Sequence, residues 1–334
     1  MATYYGKKYK LLELKHLFKE LLLTTKIAFK SKELGKPKTK SPIYVAMIDG
    51  EAYHGGMCDR FKGIISLYAY CKYLGKPFRI KYTYPFKLED YLQPAAYDWT
   101  LKRGEYTDNP LYSRVLYMRG EHLATRLFNL RAKRQIHFYS NRDLLEHINK
   151  TYAKEGTGKR PFNWGELFCE LFKPGTILQE RIEATKESIG GDYYAAVFRF
   201  QNLLGDFPEY RYRPLNDKDK EEELITKCLD AVKTLMAKHG NMALLVTADS
   251  MKFLKRVSQI DGVHIIPGTL THMDGQKHQT QGNQFETYLK SFLDFYMLSE
   301  AQKVYRIGTP QMYHSAFPVF AAKMHDIPFE SITI

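Results

Sequence analysis

Apolar residues in this chain fall into short continuous runs alternating with longer stretches in which they recur at helical spacing. The runs are Ile43–Ile48, Pro77–Tyr82, Leu111–Met118 and Ile136–Ser140 in the first half. In the second half they are Tyr193–Phe200, Ala243–Thr247, Val263–Pro267 and Lys303–Ile307. Their length and β-branched or aromatic content predict buried strands. Helices are predicted over Ile64–Gly75, from Leu144 onward, Trp164–Phe172, Ile177–Thr185, Asn216–His239, Phe285–Ser299 and Ala316–Met324. Local signals punctuate them. Gly75 with Pro77 stops one helix, Lys173-Pro174-Gly175 stops another, and Ser140-Asn141-Arg142-Asp143 starts a third. Asn216 is the candidate cap of the long helix, with acidic residues in its first turns and lysines later.

Alternating β and α in both halves predicts an α/β chain of two Rossmann-like domains, each with a mostly parallel sheet. The break is expected between Pro174 and Gly191, dividing an N-terminal domain over 41–180 from a C-terminal one over 181–334. Residues 1–40 form a third segment. Leu11, Leu12, Leu14, Leu17, Phe18, Leu21, Leu22 and Leu23 interleave with lysines and lead to Lys36-Pro37-Lys38-Thr39-Lys40. This reads as a basic amphipathic helix and linker, able to lie on an anionic leaflet or to dock its leucines on the first domain.

At 334 residues the chain is long enough for two cores, and its net charge of +13 calls for an acidic partner. Nucleic acid, an anionic membrane and a phosphorylated substrate all qualify. Twenty-five tyrosines keep a non-enzymatic nucleic-acid-binding module open, although no RNA-binding signature is present. Cys58, Cys71, Cys169 and Cys228 are scattered, which fits reduced thiols in a cytoplasmic protein. No secretory signal and no spanning apolar run is found, so the expected place is the cytoplasm or the inner face of the membrane. His264, His272 and His278 match no metal-ligand spacing, and Asp217-Lys218-Asp219 sits in a solvated charge run, so no metal and no cofactor is expected.

Two stretches are placed to hold an anion. After the first strand comes Glu51 and then His54-Gly55-Gly56-Met57-Cys58-Asp59-Arg60-Phe61-Lys62-Gly63, a glycine turn entering a helix whose N-terminal amides face outward. Such a turn serves tight βα packing equally well. Neither the dinucleotide fingerprint nor the phosphate loop occurs. In the second half Arg199 ends an apolar strand, where an open α/β sheet binds its ligands and a guanidinium can fork onto a phosphate. Asp249 and Ser250 end the next strand and either face the ligand or cap the helix after them.

The glycine pair, Asp59-Arg60 and Lys62-Gly63 running into a helix resemble the first segment of the GT-B fucosyltransferases, the group holding nodulation, core α1,6- and protein O-fucosyltransferases. Two later segments resemble that group in the same order. Arg199 takes the place of the arginine in its His-x-Arg-Arg-type motif, with Val197 and Phe200 standing where the histidine and second arginine are absent. Asp249-Ser250 resembles its Thr-Asp-Ser element, and Asp294 to Ser299, Thr309 and Ser315-Ala316-Phe317 resemble its last segment. The resemblance implies a GT-B fold of two Rossmann-like domains facing across a cleft. It implies an inverting, metal-independent transfer of L-fucose from GDP-fucose to a hydroxyl of a glycan acceptor, which a lipid-linked glycan would satisfy. Donor contacts are then expected from Gly55, Gly56, Asp59, Arg60, Arg199, Asn202, Asp249, Ser250, Asp294, Thr309, Ser315 and Phe317. Arg199 would hold the leaving diphosphate, and Asp206, His54 or Glu51 would be the base. A related enzyme with another sugar nucleotide remains the alternative.

Overall fold

The computed structural model describes residues 2–334 other than 40, 119–123, 129, 131–133, 155–159, 208–212, 241, 269–272 and 274–283. In chain order the elements are α1 (Ala2–Lys30), β1 (Tyr44–Ile48), α2 (Met57–Leu74), β2 (Phe78–Tyr82), β3 (Leu92–Pro94), β4 (Ser113–Met118), α3 (Ala124–Phe128), β5 (Gln135–Ser140), α4 (Leu145–Lys154), α5 (Trp164–Leu171) and β6 (Phe172–Pro174). There follow α6 (Thr176–Ile189), β7 (Tyr194–Phe198), α7 (Lys218–Lys238), β8 (Leu244–Ala248), α8 (Met251–Val257), β9 (Val263–His264), α9 (Gln284–Ser299), β10 (Val304–Gly308), α10 (Phe317–Met324) and β11 (Phe329–Thr333). The chain divides into two compact units, Met1–Leu88 with Pro94–Lys173, and Glu89–Gln93 with Pro174–Ile334. The second unit therefore takes over at Pro174, a few residues before the expected break at 180/181.

In the first unit the described strands form a parallel sheet in the order β2-β1-β5-β4. Every residue of β1 is buried, as continuous apolarity requires of a strand covered on both faces. Edge strand β2 instead alternates buried and half-buried positions. Helix α2 is buried on nearly all sides and ends at Gly75, whose left-handed backbone (φ +62°) closes the last turn. It lies against the sheet so tightly that a Cβ on Gly63 would stand 2.0 Å from the Ser140 carbonyl oxygen. Only glycine fits there.

Helix α1 is not a separate segment. Leu23 and Ile27 join the core formed by Ile43, Val45, Met47, Val115 and Tyr117. Glu20, buried on the same face, pairs with Arg126 (2.9 Å) and accepts the Tyr117 amide of edge strand β4 (2.9 Å). That carboxylate thus covers an amide that the end of a sheet would otherwise leave open. Residues 31–38 continue as a strap: the Asp108 amide bonds to the Glu33 carbonyl, the Lys38 amide to the Gly104 carbonyl, and the Ser31 hydroxyl to the Asp108 carboxylate.

The second unit carries a parallel sheet in the order β11-β10-β7-β8-β9. Strands β7 and β8 lie at its centre, with α7 and α8 packing Leu224, Cys228, Val232, Phe253 and Val257 against them. Asp217, not Asn216, caps α7, by accepting the amides of Asp219 and Lys220. Helix α6 runs past Thr185 to a left-handed Gly190. Strands β3, β6 and β11 have no counterpart in the apolar pattern, because edge and two-stranded positions need little continuous apolarity. The loop around Gly156–Lys159, Pro208-Glu209 and most of the polar stretch Gly268–Gly282, His272 and His278 included, lie outside the described residues.

Replacing Gly63 by alanine is expected to cost about 1–3 kcal/mol in stability through overpacking. An unchanged urea midpoint for Gly63→Ala would show that α2 is free to back away from β5.

Candidate active site

Read along its sheet, the second unit places its strands in the chain order third, second, first, fourth, fifth. In such a doubly wound sheet ligands settle outside the carboxyl ends of the strands where the order reverses, here between β7 and β10. Arg199 is the first residue after β7 and Thr309 the first after β10. The two ends are tied together, since the Tyr313 amide bonds to the Arg199 carbonyl at 3.2 Å. Thr309 is 8% exposed, and its hydroxyl has no hydrogen-bond partner among the described residues.

Asp249, at the end of neighbouring β8, builds the loop that carries Arg199. Its Oδ1 accepts the Phe200 amide (2.7 Å), and its Oδ2 accepts the Gln201 amide (2.7 Å) and the Arg199 guanidinium (3.0 Å). Burial pushes this carboxyl up, against the pull of Arg199 and of the two amides. Gln201 is held in a left-handed conformation (φ +54°), costly for a residue with a Cβ and sustained by these bonds. The guanidinium also lies 4.6 Å from the centre of the Phe207 ring. About a fifth of the Arg199 side chain remains exposed, enough for a ligand to reach. Asp249 itself is buried and fully engaged, so it positions Arg199 and does not meet a donor.

Other expected donor contacts are committed elsewhere. Ser250 caps α8 by accepting the Phe253 amide, and donates to Asp206 at 2.8 Å. The same Asp206 oxygen accepts the Lys252 amide (2.8 Å), while the other is buried with no partner among the described residues. Asp206 is therefore part of the α8 cap through that one oxygen. Asn202 lies half-buried in the Arg199 loop, its carbonyl accepting the Gly205 amide. Asp294 is buried in α9, both oxygens 2.9 Å from the equally buried Lys290 ammonium. Its carboxyl is shifted up by burial, with Lys290 opposing. Ser315 Oγ accepts the Phe317 amide (3.1 Å), and the Phe317 ring meets Phe295 edge to face.

In the first unit the glycine turn forms as expected, but its charges turn inward. Arg60 is 1% exposed and donates to the carbonyls of Gly55 and Tyr84 and to the Tyr82 hydroxyl. It locks the turn and is closed to a donor. Gly55 takes φ +78° directly over Asp59, whose carboxylate would lie 2.5 Å from an added Cβ. Asp59, in the first turn of α2, pairs with Lys62 (3.0 Å). This acid occupies the place that the helix dipole favours for an anion. Gly56 is the N-cap residue of α2 and offers no side-chain cap bond. His54 is 3% exposed, and its Nε2 accepts the Gly50 amide (3.1 Å). Glu51 is held by Lys26 (2.8 Å) and Lys30 (3.1 Å) of α1. Burial pushes its carboxyl up, but those lysines bring it below the ordinary value, which makes a weak base.

A pair absent from the expected set stands here instead. This sheet also reverses its order, between β1 and β5. Asp49, the first residue after β1, accepts the Tyr139 hydroxyl of β5 at 2.6 Å and the Glu51 amide at 3.0 Å. Burial raises its carboxyl, and the neighbouring His54 (3.7 Å), then the Tyr139 hydroxyl and the Glu51 amide, more than offset this and leave it below the ordinary value. An acid directly after an apolar strand was the available signal. Its tyrosine, ninety residues away, had none. Among the described residues no group of three His, Cys, Asp or Glu side chains is gathered to hold a metal ion. Asp217, the first residue of the Asp217-Lys218-Asp219 run, caps α7.

No protein-family model matches this chain, and no curated protein matches it. Among solved structures it is similar to NodZ alpha-1,6-fucosyltransferase co-crystallised with GDP, at 12% identity and a TM-score of 0.46, over 85% of this chain and 92% of that one. A selenomethionine form of fucosyltransferase NodZ from Bradyrhizobium is similar at 13% identity and a TM-score of 0.49, over 85% and 92%. POFUT1 in its apo form is similar at 8% identity and a TM-score of 0.49, over 90% of this chain and all of that one.

Asp249→Asn is expected to cost about 1–3 kcal/mol and to loosen the loop after β7, seen as a lower urea midpoint and faster proteolysis there. An unaltered midpoint would detach Asp249 from the loop. Asp49 holds its proton less tightly folded than unfolded, so its contribution is complete above about pH 4 and lost as pH falls through its folded value. Tyr139→Phe should therefore destabilise more at about pH 6 than at about pH 2.5. A pH-independent difference would assign the effect to packing.

Proposed function

We propose that this chain is a GT-B glycosyltransferase that moves L-fucose from GDP-fucose to a hydroxyl of a glycan acceptor, inverting the anomeric centre in one displacement and needing no metal ion. The observation that carries the proposal is Arg199 and Thr309 at the strand-order reversal of the second unit, a guanidinium and a hydroxyl without a partner among the described residues, where a doubly wound sheet takes a phosphorylated ligand. Guanosine and fucose come from the ordered resemblance of three segments, not from this geometry. As the glycosidic bond breaks, negative charge gathers on the departing diphosphate. Arg199, held by Asp249 through Nη1, sets its positive charge against it. A guanidinium in that position does for the leaving group what a divalent cation does elsewhere.

The acceptor oxygen must lose its proton as it bonds to the anomeric carbon. Asp206, on the loop that carries Arg199, keeps one carboxylate oxygen without a partner among the described residues and is the base that this unit offers.

A donor screen by thermal melting tests the assignment. GDP and GDP-fucose should raise the midpoint, GDP-mannose less and UDP-sugars not at all, with saturating ligand at about a hundred times Kd adding about 2.7 kcal/mol. Stabilisation by RNA but by no nucleotide would overturn the proposal in favour of nucleic-acid binding. Arg199→Ala should keep the fold and lower kcat/KM by about 10²–10³, with Arg199→Lys restoring little, because an ammonium lacks the planar fork. Near-normal turnover in Arg199→Ala would remove the clamp.

A further inference from the structure

Helix α1 has two apolar faces, and only one is used. Leu23 and Ile27, with Glu20, turn inward onto the first unit. At 100° per residue the opposite side carries Leu17, Leu21, Leu14, Phe18, Leu11 and Leu22 over an arc of about 140°. All six are exposed, with Leu14 at 62%, Phe18 at 61% and Leu21 at 63%. Scattered surface leucines need no explanation, but six on one helical face form a patch. Lysines 15, 19, 26 and 30 form a row along one flank of this face. Lys26 and Lys30 are paired to Glu51, while Lys15 and Lys19 lie exposed beside Phe18 and Leu22, the Lys19 ammonium 5.9 Å from the centre of the Tyr117 ring.

We propose that this outward face of α1 lies in the headgroup region of an anionic bilayer, with Leu14, Phe18 and Leu21 buried among the acyl chains and Lys15 and Lys19 on lipid phosphates. Charge chooses the occupant. A second copy of a chain carrying +13 is repelled, whereas an anionic leaflet attracts it. Among the described residues no helix is long and apolar enough to cross a membrane, so the contact is one of lying on the surface. The opposite face, fixed to the core by Leu23, Ile27 and the Glu20–Arg126 pair, makes the whole first unit the cargo. This contact is independent of the transferase assignment.

The full chain is mixed with vesicles of phosphatidylcholine alone and of phosphatidylcholine with phosphatidylserine. Cosedimentation is expected with the mixed vesicles, far weaker with the neutral ones, and reduced by salt. Phe18→Asp with Leu21→Asp should weaken vesicle binding at least about tenfold. The melting midpoint should hold, since both side chains are exposed. Lys15→Glu with Lys19→Glu should abolish the preference for phosphatidylserine. Absent binding to mixed vesicles, equal binding to both compositions, or full binding by the double aspartate variant would each overturn the proposal. So would a dimer in sedimentation equilibrium that the aspartates dissolve while vesicles capture nothing.

Discussion

The carboxylate of Asp249 is the constraint on which the second unit's chemistry depends. It sits at the end of one central strand and reaches across to the end of the next, taking two amides and a guanidinium on two oxygens. A buried carboxylate is expensive, and here hydrogen bonds and an opposite charge offset that expense. The result is a loop held in a conformation that Gln201 would not choose by itself, with Arg199 fixed in direction before any ligand arrives. Preorganisation of this kind strengthens binding of developing charge because no side chain has to be ordered during the reaction.

The first unit shows how little a basic sequence says about where its cations act. Arg60 spends its donors on the backbone of its own turn, and Lys26 and Lys30 hold Glu51. Asp59 closes the helix end that a phosphate would need. Each assignment follows from the same rule: a charged group near a protein core is stable only with partners, and the nearest partners are usually its own loop. Asp49, at a strand end, follows the same rule, with the Tyr139 hydroxyl, the Glu51 amide and His54 around it.

Helix α1 joins two roles along one element. Its inner face replaces the missing neighbour of edge strand β4 through Glu20, and so stabilises the sheet. Its outer face keeps apolar and basic residues in solvent, where burial against the core is no longer possible.

The order of strands and helices was legible from the chain alone, since burial on both faces writes an unbroken apolar run and a helix writes its period locally. Arg199 was legible for the same reason, as a charged residue at the end of such a run, whereas Thr309 came only from the resemblance of its segment. Strand order, and with it the neighbourhood of those two residues, came only with the tertiary structure, because parallel pairing leaves no local mark. Edge strand β11, with its mixed polarity, escaped on that account. The fate of each charge was likewise decided in three dimensions. Asp294 and Arg60, expected as donor contacts, are a buried ion pair and a lock on the turn in the fold, and Asp49 finds its tyrosine ninety residues away. Pattern reports which residues leave water; only packing reports which polar groups they leave it with.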